Sequence, residues 1–256
     1  MLRSVSEVIN YTLAAEDGEI GRCKDFLFDE EYWTVRYMVA DTGKWLPGKK
    51  VLISPFSLKD PEWATRYFPV GLTREQIEKA PSLDEDAPVS RLYEQKHFDY
   101  YGWPYYWAGG YAWGTGPYPY YIPAPAASPP VLDEEVRQRQ ENIEPEESHL
   151  RSVSEIKGYH IQAEDGEIGH VEDFIVEDDV WTIRYMVVDT RNWLPGRKVL
   201  VSPGWVESFS WADNKVSVGL TTEAIKTGPE YDPSEPINRE YETRLYDFYG
   251  RPKYWE

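Results

Sequence analysis

The sequence predicts an all-β protein built from two small antiparallel β-barrels in tandem. The first observation is a duplication: Leu2–Trp107 returns as Leu150–Trp255 with one constant offset and no gap, which makes each copy a complete unit of about 107 residues. The second is that each copy consists of short β-branched and aromatic runs separated by Gly, Pro and Asp turns, as antiparallel strands are. Five or six such strands are expected to close into a barrel, because closure removes exposed sheet edges.

The strands of the first copy follow from these runs in order, and the second copy repeats them. "YTLAA" leads into the turn "AEDGEIG", whose Asp-Gly pair is a strong hairpin signal. The next runs, "RCKDFLFD" and "WTVRYMVAD", are too short for an average helix. "TGKWLPGK" is predicted as a loop, "KVLISP" as a strand, and "RYFPVGL" as an edge strand because its proline cannot donate to a ladder. The structural turn residues predicted in both copies are Asp17, Gly18, Gly21, Asp165, Gly166 and Gly169.

One short helix and one aromatic tail complete each predicted copy. Thr73–Ala80 begins with Thr73 and has Gln76 three residues later, which is a capping box. The tail "DYYGWPYYW" returns as "DFYGRPKYW", and it is too aromatic for a disordered segment. We predict that each tail is an extended arm that packs on its own barrel or on that of the other copy.

The duplication also sets the predicted domain boundaries. The first barrel with its tail covers 1–107, a linker covers 108–149, and the second barrel with its tail covers 150–256. The linker is rich in Gly, Pro and Tyr and then becomes acidic. Its glycines in "WAGGYAWGTGPY" lack the strand–loop–helix context of a phosphate loop, so we interpret this stretch as low-complexity linker. Such a linker permits an internal pseudo-dimer of the two repeats.

Charge and composition exclude several classes of function. The net charge is -18, and no segment is basic, which argues against nucleic acid as the main partner. No apolar run approaches 18 residues, so we expect no integral membrane segment. The first ten residues carry no apolar signal core, and Cys23 is the single cysteine. We therefore expect a cytoplasmic protein, with Cys23 as a small buried hydrophobe.

No catalytic, cofactor-binding or metal-binding residues are predicted. None of the four histidines recurs in the other copy, and no metal-ligand spacing occurs, so we expect the histidines in solvent-facing loops. The acids of "AEDGEIG" recur, but their turn role explains them. Arg36 and Arg184 lie within a central strand and are expected to pair with Asp41 or with an acid of a neighbouring strand.

The pattern formed by "LRSVSEV", "AAEDGEIG", "RYMVAD" and "LPGKKVLISP" resembles the PRC-barrel family. The resemblance covers about residues 2–80 and 150–228 and concerns turns and core positions. It implies a small β-barrel used as a docking module. The family includes the cytoplasmic domain of the photosynthetic reaction-centre H subunit and a domain of a ribosome maturation factor. The membrane helix of the former and the separate N-terminal domain of the latter have no counterpart in this sequence.

Three functions are compatible with this pattern. The first is a non-enzymatic docking protein that binds a protein partner, associated with photosynthetic or other electron-transfer complexes. The second is a small-molecule binding protein with a site between the barrels, and the third is a ribosome-associated factor, which the acidity disfavours. Aromatic residues are enriched at interfaces. The candidate interface residues are Trp33, Trp45, Tyr101, Trp107, Trp181, Trp193, Tyr249 and Trp255.

Overall fold

The computed structural model describes residues 1–120, 149–190 and 197–256, and it is rich in β-strands. Residues 121–148 of the predicted linker and Trp193 lie outside the described residues. The first repeat contains β1 (Leu2–Ser4), α1 (Val5–Val8), β2 (Thr12–Ala15), β3 (Gly18–Asp29), β4 (Thr34–Asp41), β5 (Val51–Ile53), β6 (Tyr67–Pro69), α2 (Arg74–Lys79) and α3 (Arg91–Tyr101). The second contains β7 (Leu150–Ser152), α4 (Val153–Ile156), β8 (His160–Ala163), β9 (Gly166–Glu177), β10 (Thr182–Asp189), β11 (Lys198–Val201), β12 (Val206–Ser210), β13 (Lys215–Val218), α5 (Thr222–Thr227) and α6 (Arg239–Tyr249).

The chain divides into two compact units, and each contains a short segment of the other repeat. The N-repeat unit comprises Val8–Ser152 together with Asp179–Thr182. The C-repeat unit comprises Met1–Glu7, Val153–Asp178 and Ile183–Glu256. Strand β1 therefore belongs to the C-repeat unit, while β7 belongs to the N-repeat unit.

The N-repeat unit is organised around the long strand β3. One edge of β3 pairs with β4, which in turn pairs with β5, while β2 and β7 pair with successive parts of β3. All of these ladders are antiparallel, but β6 joins β2 in parallel. The expectation of a purely antiparallel sheet is therefore wrong, and the ladders of the described residues do not close into a barrel.

The C-repeat unit has the same organisation around β9. Strands β8 and β1 pair with β9, β11 pairs with β10, and β13 joins β8 in parallel. Strand β12 extends the sheet beyond β13. The two repeats therefore fold alike, as their sequences predict, and this sheet is also mixed and open in the part of the chain described.

The repeated turn "AEDGEIG" joins β2 to β3 and β8 to β9. A side-chain carbon added at Gly21 would lie 2.0 Å from the main-chain oxygen of Asp41. At Gly169 the same carbon would lie 1.9 Å from the oxygen of Asp189. Any larger residue would push the neighbouring chain away, which explains why both copies place glycine there.

The aspartates of the same turn cap a helix in each unit. Oδ1 of Asp17 accepts a hydrogen bond from the main-chain N–H of Arg74 at 2.7 Å, and Oδ1 of Asp165 accepts one from Thr222 at 2.6 Å. The following glycines, Gly18 and Gly166, have φ values of 148° and 158°. An acid in this position accepts a hydrogen bond from a free helix N–H, and its negative charge is stabilised by the positive end of the helix dipole.

The predicted capping box of α2 is present. The Thr73 hydroxyl accepts a hydrogen bond from the N–H of Gln76, and the Gln76 side chain accepts one from the N–H of Thr73. Cys23 is fully buried, as predicted, and burial raises the pKa of its thiol above the usual range.

The prediction that the two tails are extended arms is wrong for the start of each tail. Each tail begins inside a helix, α3 or α6, which ends at Gly102 or Gly250 in the left-handed conformation. Tyr106 of the first tail is 4% exposed and lies against the guanidinium of Arg36 of β4, so this tail packs on its own unit. The aromatic residues of these helices resemble a strand pattern, and tertiary packing overrides that preference.

No helix in the described part of the chain combines the length and the apolar character that a membrane crossing requires.

Candidate functional site

The most concentrated polar cluster of the N-repeat unit surrounds the carboxylate of Glu94. Helix α3 places this side chain in the interior, where it is fully buried. The hydroxyls of Tyr106 and Tyr37 donate hydrogen bonds to its Oε1 at 2.7 and 3.2 Å. Oε2 lies 3.0 Å from Arg91 Nη1 and 3.3 Å from His149 Nε2, although neither contact is aligned as a hydrogen bond.

Burial dominates the electrostatics of this cluster. Desolvation raises the pKa of Glu94 to about 7, although Arg91 and the two tyrosine hydroxyls act in the opposite direction. The same cause, together with nearby arginines, lowers the pKa of His149 to about 3. His149 is therefore neutral at neutral pH, and its contact with Glu94 is not an ion pair there.

Arg36 forms the floor of the cluster. Its guanidinium is buried and pairs with Asp29 of β3, and Nη1 donates to the main-chain oxygen of Ala112. The guanidinium carbon lies 3.8 Å from the ring centroid of Tyr106 and 4.8 Å from that of Trp113. The prediction that Arg36 pairs with an acid of a neighbouring strand is confirmed, and the acid is Asp29 rather than Asp41.

Trp113 packs against the Arg36 guanidinium, although it lies in the stretch that the sequence predicts to be a linker. It is 2% exposed, and its indole N–H donates to the main-chain oxygen of Val180 at 2.8 Å. Residues around Trp113 are thus packed into the N-repeat unit. The Gly- and Tyr-rich composition of this stretch does not predict the burial of Trp113, because that burial depends on tertiary contacts with distant residues.

The C-repeat unit repeats the cluster around Glu242. The hydroxyls of Tyr185 and Tyr254 donate to Oε1 of Glu242 at 2.7 and 2.8 Å, and Arg239 lies 3.0 Å from Oε2. Arg184 pairs with Glu177 of β9 and stacks over Tyr254. All six of these positions match members of the first cluster at the repeat offset. This recurrence was not predicted from the sequence, although it is visible in the equivalent segments "RLYE" and "REYE".

A recurring buried cluster of this kind is suited to holding a helix against a sheet. Glu94 is shielded from solvent by Tyr106 and Arg91, so a substrate has no direct access to its carboxylate. Within the described residues, no group of three or more His, Cys, Asp or Glu side chains is arranged to hold a metal ion. Chemistry at this cluster would need an opening that the packing does not provide.

A pocket of about 360 Å³ lies beside the cluster in the N-repeat unit. Its walls include the aromatic side chains of Tyr32, Tyr106 and Trp107, and its polar groups include Arg91 and His149. The acids Asp29, Glu30 and Glu31 and the cation of Arg151 also line it. The pocket therefore has both acidic and basic groups beside an aromatic wall.

The histidines do not all lie in solvent-facing loops as expected. His97 is on α3 and is 2% exposed, with its pKa lowered to about 3 by burial. His160 and His170 lie on strands β8 and β9. Only His149 lies outside a helix or strand, and it contacts Glu94.

The predicted interface tryptophans near the hairpin tips occupy equivalent turns. Trp33 and Trp181 both have positive φ, 50° and 58°. Trp181 is buried in the N-repeat unit against Phe26, and Trp33 stacks on Phe28 at 5.3 Å. Trp45 is half-buried beneath the guanidinium of Arg74, 4.7 Å from its ring. Trp181 is therefore a core residue of the described chain rather than an exposed one.

The predicted interface residues of the tails form stacked ladders. Tyr101 stacks on Trp103 at 4.4 Å, and Trp107 lies 4.2 Å from the guanidinium of Arg91. In the C-repeat unit, Trp255 lies 4.1 Å from the guanidinium of Arg239. Tyr249 is half-buried against Trp205, and burial raises its pKa to about 12. These four side chains contribute packing inside each unit.

Comparison with known proteins adds no family assignment. No protein-family model matches the chain, and no curated protein matches it. The PRC-barrel resemblance therefore stays a prediction from the sequence motifs.

Proposed function

We propose that the chain is a non-enzymatic docking protein of the PRC-barrel type, which binds a protein partner in the cytoplasm. The partner class that the sequence motifs favour is a photosynthetic or other electron-transfer complex. On this proposal each unit is a PRC-type barrel variant, and the repeats form an internal pseudo-dimer. The exchange of β1 and β7 between the units supports the pseudo-dimer.

The docking proposal rests on a contrast in burial between two kinds of residue that recur in both repeats. The buried acids Glu94 and Glu242 are held by tyrosines and arginines of their own units. By contrast, the equivalent positions Tyr100 of α3 and Phe248 of α6 are 41% and 46% exposed. A large aromatic side chain kept at the surface twice is a feature of interaction sites.

The face of α6 around Phe248 is the more open of the two candidates. Arg239, Arg244 and Asp247 line a shallow groove beside Phe248, which offers an apolar contact within a polar rim. This arrangement of an aromatic anchor and charged surroundings is typical of docking sites.

Site-specific photocross-linking tests this proposal. A photoreactive phenylalanine analogue replaces Phe248 in one variant and Ala212, an exposed turn residue, in the control. We expect one discrete cross-linked partner from position 248 and none from position 212. Absence of a discrete adduct at 248 contradicts docking through this face. Turnover of a substrate that is lost in Glu94→Gln contradicts the non-enzymatic proposal.

A small-molecule site is the second candidate, and the pocket beside Tyr106 favours it. A volume of about 360 Å³ falls within the usual range of ligand pockets. A thermal-shift screen separates this candidate from docking, because a ligand at 100 times its dissociation constant stabilises the folded state by about 2.7 kcal/mol. Arg151→Ala is the matched variant, since Arg151 lines the pocket and forms an ion pair with Glu30, another lining residue.

A further inference from the structure

Strand β1 completes the C-repeat unit from outside the second repeat. Leu2, Arg3 and Ser4 pair with Glu177, Val176 and Ile175 of β9 in an antiparallel ladder. The main-chain N–H of Asp178 extends it by donating to the oxygen of Met1 at 3.0 Å. An added strand of this kind gains main-chain hydrogen bonds that are independent of sequence.

Asp173 supplies the sequence-dependent part of this contact. Its Oδ2 accepts a hydrogen bond from the Ser4 hydroxyl at 2.5 Å. Its Oδ1 accepts from both the main-chain N–H and the hydroxyl of Ser6, at 3.2 and 2.7 Å. Val5, between the two serines, is 1% exposed. The slot therefore recognises a Ser-Val-Ser sequence with one carboxylate and one apolar site.

The N-repeat unit binds its added strand through the equivalent acid. Its added strand is β7, and the Ser152 hydroxyl donates to Oδ2 of Asp25 at 2.5 Å. Asp25 and Asp173 are equivalent positions, and the segments Leu2–Glu7 and Leu150–Glu155 are identical in sequence. Both slots thus bind the first serine of the same hexapeptide with an aspartate.

We propose that the slot along β9 is a peptide-binding site that also accepts the "LRSVSE" strand of a second copy of this chain. The identity of the two segments carries this choice of occupant, because each slot is already filled by a strand from the other repeat. The proposal goes beyond docking through Phe248 and does not depend on it.

Connectivity decides when the second copy binds. A segment of the same chain reaches its slot in an intramolecular step, at an effective concentration set by the chain that joins the two. The chain's own β1 therefore outcompetes a separate strand at micromolar protein concentration. Binding in trans becomes measurable when the connection after β1 is cut.

A chain that is cut after folding provides this test. A protease site inserted between Ile9 and Asn10 lies next to the exposed Asn10, which already adopts a left-handed turn conformation. After cleavage, a labelled peptide of sequence MLRSVSEV is titrated and followed by fluorescence anisotropy. We expect saturable binding to the cut chain and no binding to the uncut chain.

Peptide binding to an Asp173 variant, and binding of a peptide without its serines, test the specificity of the slot. We expect Asp173→Asn, or a peptide with Ser4→Ala and Ser6→Ala, to weaken binding at least tenfold. Asp25→Asn is the matched control, because it makes the same change in the slot of the N-repeat unit and should leave peptide binding to the β9 slot unchanged. The proposal is overturned if the wild-type and the doubly substituted peptide bind equally. It is also overturned if the wild-type peptide does not bind to a cut chain that stays folded.

Two further measurements complete the test. If the cut chain unfolds when its segment leaves, unlabelled peptide must restore its circular dichroism signal; failure to restore it also overturns the proposal. For the second copy as occupant, the cut chain is mixed with uncut Asp173→Asn protein, whose own slot is weakened. Native mass spectrometry must then detect a one-to-one complex, and its absence contradicts exchange between copies.

Discussion

The pH dependence of stability should change when Glu94 is replaced by glutamine. The pKa of Glu94 is about 7 in the folded protein, against an ordinary glutamate value of 4.5. At about 1.4 kcal/mol for each tenfold change in proton affinity, this difference corresponds to roughly 3 kcal/mol. Because burial raises the pKa, the folded state binds this proton more tightly than the unfolded chain does. The stabilisation is complete below pH 4.5 and is lost as the pH rises to about 7.

Glutamine keeps an oxygen that can accept the hydrogen bonds of Tyr37 and Tyr106, but it does not titrate. The free energy of unfolding of the wild type minus that of Glu94→Gln should therefore fall by roughly 3 kcal/mol between pH 4.5 and 7.5. Urea unfolding, followed by circular dichroism at a series of pH values, gives this difference directly.

Glu75→Gln provides a control of opposite sign. A hydrogen bond from Lys79 lowers the pKa of Glu75, so its contribution is present at neutral pH and is lost as the pH falls. The difference between wild type and Glu75→Gln should thus rise with pH. A difference for Glu94→Gln that is flat or rises over the same range refutes the burial argument.

Three other substitutions have expected effects on the free energy of unfolding, each measurable by urea denaturation. His97→Leu should stabilise by about 1–2 kcal/mol, since it removes a buried imidazole nitrogen without a partner and installs the residue that the second repeat has at Leu245; a loss of stability would contradict this. Gly21→Ala should destabilise by more than about 2 kcal/mol because of the 2.0 Å clash, whereas Gly110→Ala, with open space around it, should stay within about 0.5 kcal/mol. Trp113→Ala should destabilise by about 3–5 kcal/mol, and a negligible change would mean that this stretch is only a linker.

The parts of the fold that local chemistry determines were predictable from the sequence. The Asp17–Gly18 hairpin and the Thr73 capping box depend on residues within a few positions of one another, and both are present. Helices α3 and α6 were missed because their many aromatic side chains favour strands, while their helical conformation depends on packing against β4 and β10. The caps at Ser90 and Asn238 were the available signal.

The exchange of β1 and β7 was not predictable for a different reason. The segments Leu2–Glu7 and Leu150–Glu155 are identical, so their sequence does not determine which of the two long strands each one joins.

The Glu94 cluster, in contrast, was predictable from the sequence. Glu94 and Glu242, and the tyrosines that bond them, recur at the repeat offset, and recurrence of a charged residue within an aromatic pattern indicates a buried pair.

The recurring buried acids are proposed to maintain the fold, while the exposed aromatic residues bind the partner. A quantitative capture assay with the cross-linked partner as bait, together with urea unfolding, separates the two roles in two double variants. Glu94→Gln with Glu242→Gln should alter the unfolding curve but leave capture intact. Tyr100→Ser with Phe248→Ser should leave the unfolding curve intact and reduce capture at least tenfold. Capture that is lost with the acids and survives the loss of both aromatic residues would contradict this division of roles.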